Sequence, residues 1–171
     1  MKLVHGNVET NTDALRDNGH DLIIMRQLLE HLRDPQLAVR NLAKKLAPNG
    51  LMIIDTPNRG GWDYHLFKTQ HWGGYHIPRH FHLFRQDSLV KLIERAGLKV
   101  YKKGYLASMG FWIISLRNLF GLNSIVRGSS IFEFLRYKNL LVSGFFIALD
   151  TVRVKLRMET SNQLVIAQKP S

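Results

Sequence analysis

The chain has 171 residues, 45% of them hydrophobic, no cysteine and a formal net charge of +11. That length and apolar content suit one compact domain with its own core and exclude a disordered or fibrous chain. Without cysteine there is neither a disulfide framework nor a thiolate metal site, which fits an intracellular setting. Met1 to Thr12 lacks the basic and apolar pattern of a secretory leader, so the expected location is cytoplasmic. The positive charge gathers late: residues 101–171 hold ten Lys/Arg against three Asp/Glu. Such a surface suits nucleic acid, anionic lipid or an acidic substrate, or is simply a solvated face, and charge alone does not choose.

In chain order, Asp21 to Met25 (DLIIM) follows the turn-like Asn18-Gly19 and predicts a buried strand of a parallel sheet. Asp34-Pro35 signals a helix start, with Asp34 as cap and Pro35 at the first helical position, where its missing N–H costs nothing. Val39, Leu42, Ala43 and Leu46 recur at helical spacing, and Pro48-Asn49-Gly50 is the stop. Leu51 to Ile54 (LMII) predicts a second buried strand, and strand, helix, strand implies a right-handed crossover. The polar and aromatic stretch from Thr56 to Phe84 is long for a connection and is a candidate functional loop. Leu89, Leu92, Ile93 and Ala96 predict a helix, with Gly97 as its left-handed cap. Leu98 to Leu106 and Gln163 to Gln168 read as strands.

Between those last two strands, residues 107–161 form an insertion with two apolar patches, Phe111 to Phe120 and Leu140 to Leu149, the second followed by Arg153, Lys155 and Arg157. Each patch is far shorter than the ~20 residues needed to span a bilayer. Two readings stand: cap helices folded over a cleft, or an interfacial helix with its basic flank on anionic lipid.

Three segments then become recognisable. DLIIMRQLLEHLRDP (Asp21–Pro35), LAPNGLMIIDTPN (Leu46–Asn58) and PRHFHLFRQDSLVKLIERAGLKV (Pro78–Val100) resemble, in order, successive motifs of the class I S-adenosylmethionine-dependent methyltransferases. The likeness is to the small-molecule group that includes the ubiquinone-biosynthesis O-methyltransferases. It covers residues 3–106 and resumes at the last strand. It implies an α/β, Rossmann-like methyltransferase fold, with a mostly parallel sheet, flanking helices and a helical insertion before the last strand. The family's glycine-rich cofactor loop has no counterpart here: Met1 leads almost directly into His5-Gly6-Asn7-Val8-Glu9, which looks like the segment after the family's third strand. The expectation is therefore an incomplete fold, residues 1–171 being a single truncated domain, the C-terminal half, with weakened or absent cofactor binding by this chain alone.

The resemblance implies S-adenosylmethionine as cofactor, held by what remains of its pocket: Asn7, Val8, Met25, Arg26 and Gln27. Ligands of an open parallel sheet lie beyond the carboxyl ends of its strands, which directs attention to Arg26–His31 and Thr56–Arg59. His31 is the candidate general base, since an imidazole titrates near pH ~6.5; a histidine that merely hydrogen-bonds near the cofactor is the alternative. Glu30 is expected either to orient it or to ligate a metal, and His80 is the third candidate catalytic residue. Trp72, Arg79 and His82 are assigned to the acceptor, with Trp62, Tyr64 and Tyr75 as further flat surfaces; the alternative for the aromatics is that they pack the loop onto the domain. No metal is expected. Where the family places an acidic ligand three residues before Glu30 the chain has Gln27, a weak ligand, and His71, His76, His80 and His82 have no paired carboxylate at a convincing spacing.

The expected function is methyl transfer to a small-molecule or lipid-linked acceptor. The alternative is a non-catalytic module of the same fold that binds a partner protein or a membrane surface. A complementing chain and a peripheral membrane contact are the expected partners, since the Asp21–Met25 strand would otherwise present an open edge. Nucleic acid is not expected, because charge is its only support.

Overall fold

The computed structural model describes residues 5–121, 134–136 and 138–171. The insertion's residues 122–133 and 137 thus lie outside the described residues. The chain divides into two compact units, one of residues 1–56, 79–103 and 164–171, the other of residues 57–78 and 104–163.

In the first unit the strand β1 (His20–Arg26) pairs in parallel with β2 (Leu46–Pro57), Ile24 opposite Ile53 and Arg26 opposite Asp55. The register breaks between His20, which faces Leu46, and Leu22, which faces Leu51. The Pro48-Asn49-Gly50 turn is therefore an excursion within a longer strand, with Asn49 at φ 62, and not a gap before a short one. Between them runs α1 (Pro35–Lys45). Asp34 caps it by accepting from the Leu37 N–H at 2.9 Å, and Pro35 takes the first position, as the sequence signals indicate.

Helix α2 (Trp62–Phe67) and a single 3-10 turn (Gly73–Tyr75) interrupt the long aromatic stretch, so it is not one continuous loop. Helix α3 (Gln86–Arg95) packs against α1 and ends at Gly97, whose φ of 84 is open to glycine at little cost. β3 (Lys99–Leu106) follows, then α4 (Gly110–Leu119), α5 (Leu140–Lys155) and β4 (Asn162–Gln168).

The four strands lie in the order β1-β2-β4-β3. This sheet is small and mixed, with β1 and β2 parallel. β4 returns after the 107–161 excursion, which carries α4 and α5, to fill the place between β2 and β3. Met25, Leu29, Val39, Leu46, Ile54, Leu89, Ile93 and Val165 are among the buried residues of this core. Each full burial of such a side chain contributes roughly 1.5–3 kcal/mol.

The second unit joins residues 57–78 to the insertion. α4 packs on α2 and on the Gly73–Tyr75 turn. A Cβ at Gly73 would stand 2.8 Å from the Phe111 carbonyl oxygen, so only glycine admits that approach, and its N–H donates to the Ser115 hydroxyl at 2.8 Å.

Candidate active site

The first unit brings together the ends of β1 and β2 and the Arg79–His82 segment. Arg26 Nε donates to Asp55 Oδ2 at 2.9 Å and Gln27 Nε2 to Asp55 Oδ1 at 2.9 Å. The Gln27 backbone N–H adds a bond to the Asp55 carbonyl at 2.9 Å, which holds Gln27 at its positive φ of 46. One carboxylate therefore shapes the turn after β1. Met25 sits just before this turn in the core, 2% exposed.

After the turn, a 3-10 helix (Leu29–His31) carries Glu30 into the interior at 0% exposure. Its carbonyl accepts from the N–H groups of Phe81 at 2.8 Å and His82 at 3.3 Å, which straps the Arg79–His82 segment across it. The Thr56 hydroxyl donates to Glu30 Oε2 at 2.8 Å. Among the described residues Oε1 has no hydrogen-bond partner; it is buried and lies 3.9 Å from His31 Nε2 and 4.0 Å from His80 Nε2. Desolvation pushes the Glu30 carboxyl above the ordinary carboxylate range, opposed by a backbone N–H, the Thr56 hydroxyl and His31.

The two imidazoles meet edge to face, centroids 4.6 Å apart. His31 Nδ1 lies 3.0 Å from the Arg79 carbonyl oxygen. A carbonyl only accepts, so Nδ1 carries the hydrogen, and in the neutral ring Nε2 then carries the lone pair. That arrangement equips Nε2 to receive a proton beside a carboxylate. It also suits a divalent cation: one ligand atom each from Glu30, His31 and His80 lie within 4.8 Å of one another. This is the one such group among the described residues; His71, His76 and His82 do not join it. Two imidazole nitrogens and one carboxylate oxygen fit a borderline ion such as zinc better than magnesium. The Gln27 side chain donates its amide Nε2 to Asp55.

The remaining sequence candidates fall in separate places. Asn7 and Val8 line a small open pocket of about 220 Å³ with Gly6, Asn11, Thr12 and Leu15. Asn7 Oδ1 accepts from the Glu9 N–H at 2.8 Å, so its side chain also builds the local turn. Arg79 is exposed, while His82 Nε2 lies 3.3 Å from the Arg33 carbonyl oxygen and its ring stacks on Phe84 at 5.9 Å. Trp72 belongs to the second unit and is 1% exposed. Its Nε1 donates to Asp63 Oδ2 at 2.6 Å and its ring stacks on Phe111 at 6.0 Å, so it packs that unit's interior. Sequence reasoning missed Asp55 and Glu9. Glu9 Oε1 accepts from the Asp34 N–H at 2.5 Å and Glu9's carbonyl accepts from Asn41 Nδ2 at 2.9 Å, tying the N-terminal turn to α1. The available signal for Asp55 was its place at a strand's carboxyl end.

Residues 3–103 match the family described as Methyltransferase domain. The ubiquinone biosynthesis O-methyltransferase of Ruegeria pomeroyi is 30% identical over 124 residues, covering 64% of this chain and 48% of that protein. The protein of the same name from Rickettsia bellii is 25% identical over 108 residues, covering 58% and 45%. The chain thus spans about half the length of the curated relatives it matches. A SAM dependent methyltransferase from Archaeoglobus fulgidus superposes with a TM-score of 0.56 at 14% identity, over 97% of this chain and 66% of that one. That likeness shows the fold. The chain belongs to the family of S-adenosylmethionine-dependent methyltransferase domains.

Proposed function

We propose that this chain carries the proton-accepting side of a methyl transfer from S-adenosylmethionine to a hydroxyl of a small or lipid-linked acceptor. The observation that carries the proposal is the His31 ring, with Nδ1 committed to the Arg79 carbonyl and Nε2 turned toward Glu30 Oε1. When bound, the cofactor supplies an electrophilic methyl group on a sulfonium. The chain's own residues do the rest. His31 Nε2 takes the acceptor's hydroxyl proton as the new O–CH3 bond forms and the S–CH3 bond breaks, leaving S-adenosylhomocysteine. The buried Glu30 carboxyl favours that step, because a positive imidazolium beside it offsets the cost of a desolvated negative charge. Arg79, exposed next to the strap, is assigned to the acceptor.

Asn7, Val8 and the Asp55-held turn of Met25, Arg26 and Gln27 are assigned to the cofactor. Leu22 and Ile24 stand 50% and 53% exposed on β1, and among the described residues only β2 pairs with that strand. A further segment, on a longer polypeptide or a second chain, would complete both the sheet edge and the cofactor loop there. Calorimetric titration of the purified chain with S-adenosylmethionine and S-adenosylhomocysteine tests this. Saturable binding supports cofactor use by these 171 residues; a folded chain that binds neither would remove it.

A second reading rests on the Glu30, His31 and His80 group, which would hold a divalent cation that polarises the acceptor oxygen. Chelation separates the two: transfer that survives EDTA belongs to His31 as base, and transfer lost to EDTA and restored by zinc belongs to the cation.

A further inference from the structure

Helix α5 is apolar on two sides. Its inward side packs the second unit: Phe146 stacks on Trp112 with centroids 5.3 Å apart and planes 10° from parallel, and Asp150 accepts from Trp112 Nε1 at 3.1 Å while pairing with Arg153 at 3.1 Å. The other side presents Leu141, Phe145, Ala148 and Val152, spaced by four, three and four residues and so aligned along the helix. Leu141 is 83% exposed, Phe145 63% and Val152 55%, and Leu140 and Leu156 extend the stripe at both ends. An open apolar groove of about 320 Å³, lined in part by Leu116, Phe134 and Leu135, adjoins it.

The exposed charges from residue 134 to 158 are all basic, with Glu133 and Glu159 just outside that span. Arg136 and Lys138 are exposed just before the helix, Lys155 and Arg157 at its end. From residue 134 to 158 the sole acidic residue is Asp150, which is buried and paired. A second copy of this chain is a poor occupant, since a two-fold contact would set this basic border against its own image. No helix among the described residues is long and apolar enough to cross a membrane. A helix of this kind lies in the interface plane, apolar side in the acyl boundary and cations toward headgroup phosphates.

We infer that α5 is a peripheral docking surface for anionic phospholipid membranes. The inference is independent of the methyl-transfer reading, because it needs neither cofactor nor turnover. The test is flotation of the full chain with vesicles of phosphatidylcholine alone and of phosphatidylcholine mixed with phosphatidylglycerol, with circular dichroism as the check on folding. The chain is expected to float with the anionic vesicles and to be released by salt. Lys155→Gln with Arg157→Gln is expected to weaken that binding by roughly tenfold or more. Leu141→Ser with Phe145→Ser, both at exposed positions, is expected to abolish it while leaving the helix folded. Failure of the wild type to float, equal binding by folded variants, or a self-associated wild type that those serines convert to monomer would each overturn the inference.

Discussion

The Thr56 hydroxyl holds Glu30 Oε2 at 2.8 Å, and this leaves Glu30 Oε1 as a buried acceptor facing two imidazoles. Thr56 and Glu30 arrive from the ends of adjacent parallel strands, so the register of β1 on β2 sets the geometry of the candidate site. Function is thereby linked to the sheet: a slip in register would separate donor from carboxyl and release Oε1 from its position.

Glu30→Gln keeps an oxygen for the Thr56 hydroxyl and removes the charge beside His31. The fold is expected to survive, and methyl transfer at saturating substrate is expected to fall roughly tenfold, equivalent to ~1.4 kcal/mol of lost support for the proton's arrival. Steady-state kinetics on the folded variant checks this, and an unchanged rate would remove Glu30 from the chemistry.

Asp55→Ala deprives Arg26 Nε and Gln27 Nε2 of their shared acceptor. Because the Arg26 side chain is 76% exposed, its share is discounted for solvent screening, and the expected loss of stability is about 1–2 kcal/mol by urea unfolding. A loss near zero would mean that the backbone bond from Gln27 to Asp55 suffices to hold the turn.

Asp63 offers a test of pH linkage away from the candidate site. Burial pushes its carboxyl above the usual range, against the lowering influence of Trp72 and Ser161 side chains. The folded state therefore holds this proton more tightly than the unfolded chain. Its stabilising contribution is complete below the unfolded pKa and is lost as pH rises through the folded one. Asp63→Asn retains an oxygen for Trp72 Nε1 without the buried charge. Its melting temperature is expected to match or exceed the wild type's at neutral pH, with the advantage disappearing in acid; a variant that melts lower at neutral pH would contradict this.

Local signals in the sequence carried over well. The Asp34 cap, Pro35 at the helix start and Gly97 at a helix end depend on residues within one turn of each other, and each stands where its chemistry requires. The Glu30–His31 pair was singled out by the family resemblance, and it follows a strand whose Leu22 and Ile24 are exposed where the sequence predicts burial. His80 was named from its loop, but its approach to Glu30 depends on backbone bonds from Phe81 and His82 across some fifty residues of chain. Asp55 was not legible, because its two partners come from a neighbouring strand 28 and 29 residues away. Trp72 follows the packing alternative for the loop aromatics, but that its partners are Asp63 and Phe111 is not encoded locally. The mixed sheet depends on where β4 returns, a non-local choice that no periodicity encodes.

In the proposed reaction His31 accepts the proton during methyl transfer. Its most direct test compares wild type with His31→Ala at saturating S-adenosylmethionine and a phenolic acceptor, following the methylated product by mass spectrometry, with calorimetry establishing that both proteins bind cofactor. Equal cofactor affinity is expected, with a rate roughly a hundredfold lower in the variant, the lower end of what a general base contributes. Equal rates, or no transfer by a wild type that binds the cofactor, would contradict it.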